Sequence, residues 1–326
     1  REGLPRVLAM GHPAEVCGHE AWAGARPDIH PGCVLLPGLV NAHTHLDLTH
    51  LGPRPLDPAA GFMGWVEMIR TGRHLEEPKI ADSVRRGIEL SLAGGVVAVG
   101  DIAGAAGGRP CFEPLRVLQE SPLLGVSYLE FFGIGTRLEV ALSRIEEWAA
   151  ELARQDGGNL RIRPGLQPHA PNSVDLRLYI AAAEQAGRRG MPISTHLAET
   201  VEEREFVARG TGSQRRFLEE LGLWSDSVLE RVGRGLHPVG HLAAALERAR
   251  FLVAHVNDCD DEAIATLAID ESAHHAPGKS KLKVGGGKIS GEKKYIADGH
   301  IADLFIVAGQ EGAIYAGLDS GPMLLA

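Results

Sequence analysis

The sequence predicts an α/β fold in which helices cover a parallel sheet. From about residue 35 onward, short apolar β-branched runs alternate with longer segments of helical periodicity. The strand runs are apolar throughout, which is typical of strands buried on both faces. Histidines stand at the ends of several of these runs. The alternation alone fits both a barrel and a doubly wound sheet, and polar residues gathered at the strand ends favour the barrel.

The predicted elements follow one another along the first 250 residues. The strand candidates are rich in Val, Ile and Leu and comprise residues 34–40, 96–102, 124–132, 160–166, 192–195 and 251–254. The helix candidates carry apolar residues three or four positions apart and comprise residues 80–92, 138–154, 178–188 and 242–250. Because each helix candidate separates two strand candidates, the strands are expected to run parallel.

The two ends of the chain depart from this alternation. Residues 1–34 contain short strand pieces around Gly11 and Pro13, so we expect a partial β domain that leads into the barrel. Residues 35–268 form the expected barrel. Residues 269–326 form an atypical C-terminal segment that is rich in glycine and lysine around its first half.

Composition narrows the classes of function. The formal net charge of −9 argues against a nucleic-acid partner. No apolar run approaches the roughly 20 residues that cross a bilayer, so we expect no membrane partner. The 4 cysteines form no Cys-x-x-Cys pair, and no secretory signal pattern opens the sequence. We therefore expect reduced thiols and a cytoplasmic protein.

The histidines form the most informative pattern. His43 and His45 end the first predicted strand, and His169, His196 and His255 follow the fourth, fifth and sixth. Side chains two residues apart on a strand point the same way, so His43 and His45 can face one ion. A lone histidine at a strand end is more often a hydrogen-bonded core residue. Packing would instead place Val, Ile or Leu at these strand ends, so the set predicts a metal-dependent site.

Other metal and nucleotide motifs are absent from the sequence. There is no His-Glu-x-x-His, which excludes the zincin proteases. The His-x-Glu and Pro-Cys-x-x-Cys arrangement of the small zinc nucleobase deaminases is also missing. Residues 285–288 lack the spacing and the Ser or Thr of a phosphate-binding loop.

Four segments together resemble one known family. Residues 35–47, Leu-Leu-Pro-Gly-Leu-Val-Asn-Ala-His-Thr-His-Leu-Asp, resemble the first-strand signature of the amidohydrolase superfamily. Residues 168–171, 195–200 and 253–256 resemble later signatures of its mononuclear deaminase and chlorohydrolase branch. The resemblance extends from about residue 5 to residue 268, with the four motifs in the family's order.

This resemblance implies a distorted (β/α)8, TIM-like barrel that holds one divalent metal ion, with zinc as first choice and iron as the alternative. Three histidines would be metal ligands, namely His43, His45 and His196. Glu199 matches the family's proton shuttle, His255 matches the residue that orients the attacking water, and His169 matches a substrate contact. Glu130 and Asp101 end the third and second strands, where they either contact substrate or cap the backbone.

The implied reaction is hydrolytic deamination of an aminated, purine-like nitrogen heterocycle by metal-activated water. The chain would thus be a hydrolase of carbon–nitrogen bonds other than peptide bonds. A chlorohydrolase or amidase of the same superfamily is one alternative. A catalytically dead or rearranged chain that only binds metal is another. The expected partner is a small-molecule substrate. The sequence leaves the oligomeric state undecided between a monomer and a homo-oligomer.

The C-terminal segment departs from the family pattern, so we expect a barrel that is incomplete at its C-terminal end. The family's fourth ligand is an Asp after the eighth strand, for which Asp319 is the candidate. Every arginine precedes residue 251, whereas all lysines except Lys79 follow it. Residues 291–309 resemble the middle β domain of acyl-CoA dehydrogenases or, more weakly, an amidohydrolase accessory strand. A fused or rearranged chain joined near residues 268–280 is expected, with a divergent lysine-rich loop as the alternative.

Overall fold

The computed structural model describes residues 36–55, 59–159 and 161–259, the single residues His12, Val16 and Cys33, and four short strands beyond residue 280. The chain divides into two compact units, Arg1–Pro37 and Gly38–Ala326. The partial β domain expected for residues 1–34 lies outside the described residues apart from the three single positions.

Six strands of the second unit form one parallel sheet in chain order. They are β1 (Leu39–Thr44), β2 (Val96–Ala103), β3 (Leu124–Phe131), β4 (Ile162–Pro168), β5 (Ile193–Leu197) and β6 (Phe251–His255). β2 to β6 each coincide with a predicted strand to within two residues at either end, whereas β1 lies further along the chain than the predicted residues 34–40 and shares only Leu39 and Val40 with them. Because neighbouring strands are parallel and follow one another in chain order, each connection crosses over on the same side of the sheet. This repeated crossover curls the sheet. The architecture is a distorted (β/α)8, TIM-like barrel, as predicted, and the described residues supply six of its strands.

Helices connect consecutive strands and cover the outside of the sheet. They are α1 (Gly61–Gly72), α2 (Glu77–Ala93), α3 (Glu113–Gln119), α4 (Leu138–Asp156), α5 (Leu176–Arg189), α6 (Val201–Arg209), α7 (Gly212–Glu220), α8 (Asp226–Leu229) and α9 (Pro238–Leu246). Local chemistry sets their ends: proline opens α2 and α9, where an amide proton has no helical partner. Gly190 ends α5 with φ +63°, in the left-handed region that favours glycine.

The core lies between the sheet and these helices. Ile80, Val84 and Ile88 recur every four residues on α2 and are buried together with the apolar residues of β2 and β3. On α4, Ile145 and Leu152 occupy the same kind of stripe. This burial holds the helices on the sheet and leaves the C-terminal ends of the strands available for polar side chains.

The four short strands beyond residue 280 form two antiparallel pairs, separate from the six-stranded sheet. β7 (Lys283–Gly285) pairs with β8 (Lys288–Ser290), and β9 (Leu304–Ala308) pairs with β10 (Ile314–Leu318). The family pattern would require a parallel strand before Asp319, whereas β10 is antiparallel to β9. Asp319 itself lies outside the described residues. Within the described part of the chain, no helix combines the length and apolarity that crossing a membrane requires.

Candidate metal centre

The C-terminal ends of the parallel strands bring the predicted histidines together. The ring centroid of His43 lies 5.2 Å from that of His45 and 5.0 Å from that of His196. One nitrogen of each of these three rings lies within 4.8 Å of the others, close enough to share an ion. The ring of His255 lies 5.2 Å from His43, and the ring of His169 lies 4.9 Å from His196. All five predicted histidines therefore belong to one cluster.

The end of β1 is held in place by its contact with β2. A Cβ atom at Gly100 would lie only 2.2 Å from the carbonyl oxygen of Ala42, so this close approach requires glycine. After His45 the chain turns into a short 3-10 helix, Leu46–Leu51. The backbone amide of Leu46 donates a 2.9 Å hydrogen bond to the buried carboxylate of Asp101. Asp101 thus caps the backbone beside the two β1 histidines, which was one of its two expected roles.

Burial keeps the three clustered imidazoles neutral. Desolvation, followed by the nearby His255, lowers the pKa of His43 to about 4. Desolvation, followed by neighbouring histidines, also lowers the pKa of His45 and of His196 well below the ordinary value of 6.5. Each ring therefore carries a free lone pair at neutral pH, the form in which histidine binds metal.

The donor atoms fit a divalent metal ion. The buried Nδ1 atoms of His43 and His45 find no hydrogen-bond partner among the described residues. The Nδ1 atom of His196 lies 3.1 Å from the carbonyl oxygen of His169, to which it can donate, which leaves its Nε2 as the metal donor. Three neutral imidazole nitrogens that converge on one point are a donor set that suits a divalent metal ion.

Glu199 and His255 face each other beside this cluster. His255 Nε2 lies 3.6 Å from Glu199 Oε1. Burial raises the pKa of Glu199 to about 7 and lowers the pKa of His255. Ala198 (φ +51°) and His255 (φ +80°) both adopt the left-handed region although neither is glycine. Such strained backbone is concentrated at functional sites, where surrounding contacts hold it in place.

Glu203 supplies those contacts, and sequence reasoning missed it. Its carboxylate accepts the backbone amide of Ala198 at 2.9 Å and that of Glu199 at 3.0 Å. Thr200 accepts the amide of Glu203 at the start of α6. The signal was present in the sequence, because Thr200-x-x-Glu203 is the spacing of a capping box. Here the Glu reaches beyond the cap residue to the two amides before it.

His169 lies beside the cluster and contacts a second polar group. Its Nδ1 atom lies 2.6 Å from Ser173 Oγ, and its Nε2 atom lies 4.0 Å from Glu130 Oε1. Glu130 is buried and accepts the backbone amide of Ala105 at 3.1 Å. Arg73, which follows α1, lies 3.5 Å from Glu130 and 3.2 Å from Asp47. Sequence reasoning missed Arg73, because no local pattern distinguishes it from a surface charge, and it gave no role to Asp47 at the end of the first motif.

Comparison with known proteins gives a consistent result. The family model described as the amidohydrolase family matches residues 34–272. The chain is 30% identical over 274 residues to the 5-methylthioadenosine/S-adenosylhomocysteine deaminase of Symbiobacterium thermophilum, an alignment that covers 82% of this chain and 55% of the relative. It is also 30% identical over 275 residues to the aminodeoxyfutalosine deaminase of Deinococcus radiodurans, covering 80% of this chain and 60% of the relative. The chain thus spans somewhat more than half the length of these relatives.

A solved structure supports the fold. The aminofutalosine deaminase of Helicobacter pylori, in complex with methylthio-coformycin, superimposes with a TM-score of 0.57 at 23% identity. The superposition covers 71% of this chain and 53% of that protein. At this identity the likeness is one of fold, and it agrees with the barrel formed by β1 to β6.

Proposed function

Because the chain belongs to the amidohydrolase family, we propose that it is a metal-dependent hydrolase that deaminates an aminated, purine-like nitrogen heterocycle. The observation that carries this proposal is the convergence of three neutral imidazoles beside Glu199, a partly buried carboxyl of raised pKa. The reaction needs no organic cofactor. Its partner is a small-molecule substrate, and the free thiols of Cys33 and Cys111 are compatible with a cytoplasmic location.

His43, His45 and His196 would hold one divalent ion, with zinc as first choice and iron as the alternative. When bound, such an ion supplies a water molecule whose pKa is lowered towards ~7. The neutral state of the three rings supports this role, because no proton has to leave a ligand before the ion binds. Whether Asp319 is the fourth ligand stays open, because it is a candidate on sequence grounds alone.

Glu199 is the proposed proton shuttle. A carboxyl whose pKa lies near 7 can both accept a proton from water and release it at neutral pH. It would accept that proton at a carboxylate oxygen, pass it to a ring nitrogen of the substrate and then assist the departure of ammonia. His255, 3.6 Å from Glu199, would orient the water, and His169 would contact the substrate ring.

The substrate class follows from what the relatives are called. Its relatives include adenosine, 5-methylthioadenosine/S-adenosylhomocysteine and aminodeoxyfutalosine deaminases. We therefore propose an adenosine-type nucleoside with an exocyclic amino group. A chlorohydrolase or amidase would use the same water-activating residues. A chain that binds metal without turnover is the remaining alternative, and a homo-oligomer is compatible with each of them.

The domain division is part of the same proposal. Residues 1–34 would form a partial β domain, residues 35–268 the hydrolase barrel and residues 269–326 an atypical segment. The family match from residue 34 to residue 272 supports both boundaries of the barrel. A separate origin of the last segment, with its likeness to an acyl-CoA dehydrogenase domain, stays a hypothesis.

The test is ammonia release together with metal content. We expect the zinc-loaded protein to release ammonia from adenosine or 5′-methylthioadenosine. Glu199→Gln should keep the metal and lose about 10²- to 10⁴-fold in turnover, the range for a lost general acid–base group. Glu202→Gln, the same substitution at a partly exposed acidic residue of α6, is the matched control. Wild-type protein that binds no metal would contradict the proposal, and bound metal without ammonia release would favour the catalytically dead alternative.

A further inference from the structure

The cluster offers two sets of three metal donors rather than one. The first set is His43, His45 and His196, and the second is Glu130, His169 and His196. In each set the three donor atoms lie within 4.8 Å of one another. Because His196 belongs to both, the choice between the sets decides whether His169 is a metal ligand or stays available for substrate.

The two sets cannot bind ions at the same time through His196. Its Nδ1 atom faces the carbonyl oxygen of His169 at 3.1 Å, so Nδ1 carries the proton and only Nε2 offers a lone pair. His169 is constrained in a similar way. Its Nδ1 lies 2.6 Å from Ser173 Oγ, whose own proton points to the carbonyl oxygen of Ala170 at 3.1 Å. His169 Nε2 therefore faces Glu130 with a free lone pair.

Arg73 distinguishes the two sets. Its guanidinium, 11% exposed, lies 3.5 Å from Glu130 Oε2, the carboxylate of the second set. The same group lies 3.2 Å from Asp47 Oδ2. Gly104 makes room for it, because a Cβ atom there would lie 2.5 Å from Arg73 Nη2. The guanidinium is thus a permanent positive charge in direct contact with the carboxylate of the second set, whereas it acts on the first set only through the Coulombic effect of its charge on His45.

We propose that Arg73 directs the metal ion to His43, His45 and His196 by neutralising Glu130, which leaves His169 to contact substrate. A guanidinium beside the carboxylate repels an incoming divalent cation. It also neutralises the negative charge of Glu130 that would otherwise attract the cation. The first set contains no carboxylate for Arg73 to neutralise, so its three neutral donors stay available even though the guanidinium charge also acts on His45. The inference rests on the proposed function only in assuming that a divalent ion binds this cluster.

The test uses zinc content in variants that disable the first set. His43→Ala should lower bound zinc from about one ion per chain to less than about a tenth, because the second set is blocked by Arg73. His43→Ala with Arg73→Gln should regain about one ion per chain. Adding Glu130→Gln to this pair should abolish zinc binding again. His43→Ala with Arg73→Lys is the matched control and should stay empty, because lysine keeps the positive charge.

The single variant Arg73→Gln gives an independent readout that does not depend on folding of the double variant. Loaded with Co²⁺, it should show a changed visible absorption spectrum relative to wild type, and adding Glu130→Gln should restore the wild-type spectrum. An unchanged spectrum, or a double variant that folds without binding zinc, would overturn the inference. Neither result would affect the proposed function, which fails instead if zinc-loaded wild type releases no ammonia.

Discussion

At the scale of single residues, the site is defined by buried charge. Asp47, Asp101 and Glu130 are each no more than 2% exposed, and they lie behind the histidines at the ends of β1, β2 and β3. Burial of a carboxylate costs several kcal/mol unless a partner compensates it. The carboxyl group of Asp101 accepts a hydrogen bond from the Leu46 amide, and that of Glu130 accepts one from the Ala105 amide. The guanidinium of Arg73 lies beside both Asp47 and Glu130. Arg73 therefore supplies the positive charge that compensates the buried carboxylates of Asp47 and Glu130.

Replacing Arg73 by methionine should lower the free energy of unfolding by about 3–5 kcal/mol, because it leaves two buried carboxylates without their cation. The measurement is urea denaturation followed by circular dichroism. Arg73→Met with Asp47→Asn should recover part of the loss, because one uncompensated charge is removed. Arg86→Met is the control: Arg86 and Glu89 form an exposed pair, which should contribute no more than about 1 kcal/mol. A loss at Arg73 as small as at Arg86 would contradict this account of the cluster.

At the scale of elements, the turn between β5 and α6 holds Glu199, the proposed proton shuttle. Glu199 follows Ala198, whose φ of +51° is unfavourable for any residue with a Cβ. The capping box of α6 offsets this strain, because Glu203 binds the amides of both residues. The start of a helix thus positions a reacting group at the end of the preceding strand.

Glu203→Ala should reduce turnover about tenfold to a hundredfold while metal content stays unchanged, because Glu199 loses its fixed backbone position. Thr200→Ala is the comparison. It removes the cap of the same helix at a cost of about 1 kcal/mol but leaves the contacts from Glu203 to Ala198 and Glu199 in place. Steady-state kinetics and metal analysis of both variants decide the matter. Equal losses of turnover would mean that Glu203 acts only through helix stability.

The strands were more predictable than the helices for a physical reason. β2 to β5 are largely buried, so their apolar runs stand out from the surrounding sequence. Helices α6, α7 and α8 lie between β5 and β6 and were not predicted. They are short and rich in charged residues, and their ends depend on caps and on packing in a small separate cluster around Phe206.

At the scale of the whole molecule, the buried ionisable groups couple stability to pH. Burial raises the pKa of Asp101 to about 8 and that of Glu203 to about 7. Between their ordinary pKa values and these raised ones, the folded protein binds more protons than the unfolded chain. Stability must therefore fall as pH rises through that window. Below pH 6.5 the buried His43 and His169, whose pKa values are lowered to about 4 and about 3, act in the opposite direction.

The metal-free protein should accordingly lose stability as pH rises from about 7.5 to about 8.5, because the histidines of the unfolded chain are then largely neutral and the carboxyl groups of raised pKa still titrate. Each fully effective group contributes about 1.4 kcal/mol per pH unit. Thermal melts of chelator-treated protein across this range provide the measurement. Glu203→Gln should flatten the decline, because its side chain does not ionise. A stability that rises over the same interval would contradict the assigned directions.

β1 lies at one edge of the described six-stranded sheet and has exposed apolar side chains, which predicts self-association. Leu39 and Val40 are 56% and 69% exposed, although strands of a closed barrel are normally covered. We expect the chain to form oligomers whose population grows with concentration in sedimentation experiments. Val40→Lys should shift the distribution towards monomer, because a charge on an edge strand opposes pairing. Exposed Val140→Lys on α4 is the control, and an equal effect there would attribute the association to general charge.

The sequence by itself determined the class of this protein and most of its candidate site. Apolar runs at regular spacing predict a parallel barrel, and His43, His45, His169, His196 and His255 at strand ends predict where its chemistry lies. Only the tertiary structure decided how these groups are supported. Arg73, Asp47 and Glu130 are distant in sequence, and Glu203 acts on amides outside its own helix. Such contacts arise from the folding together of separate segments, and no local period or spacing encodes them.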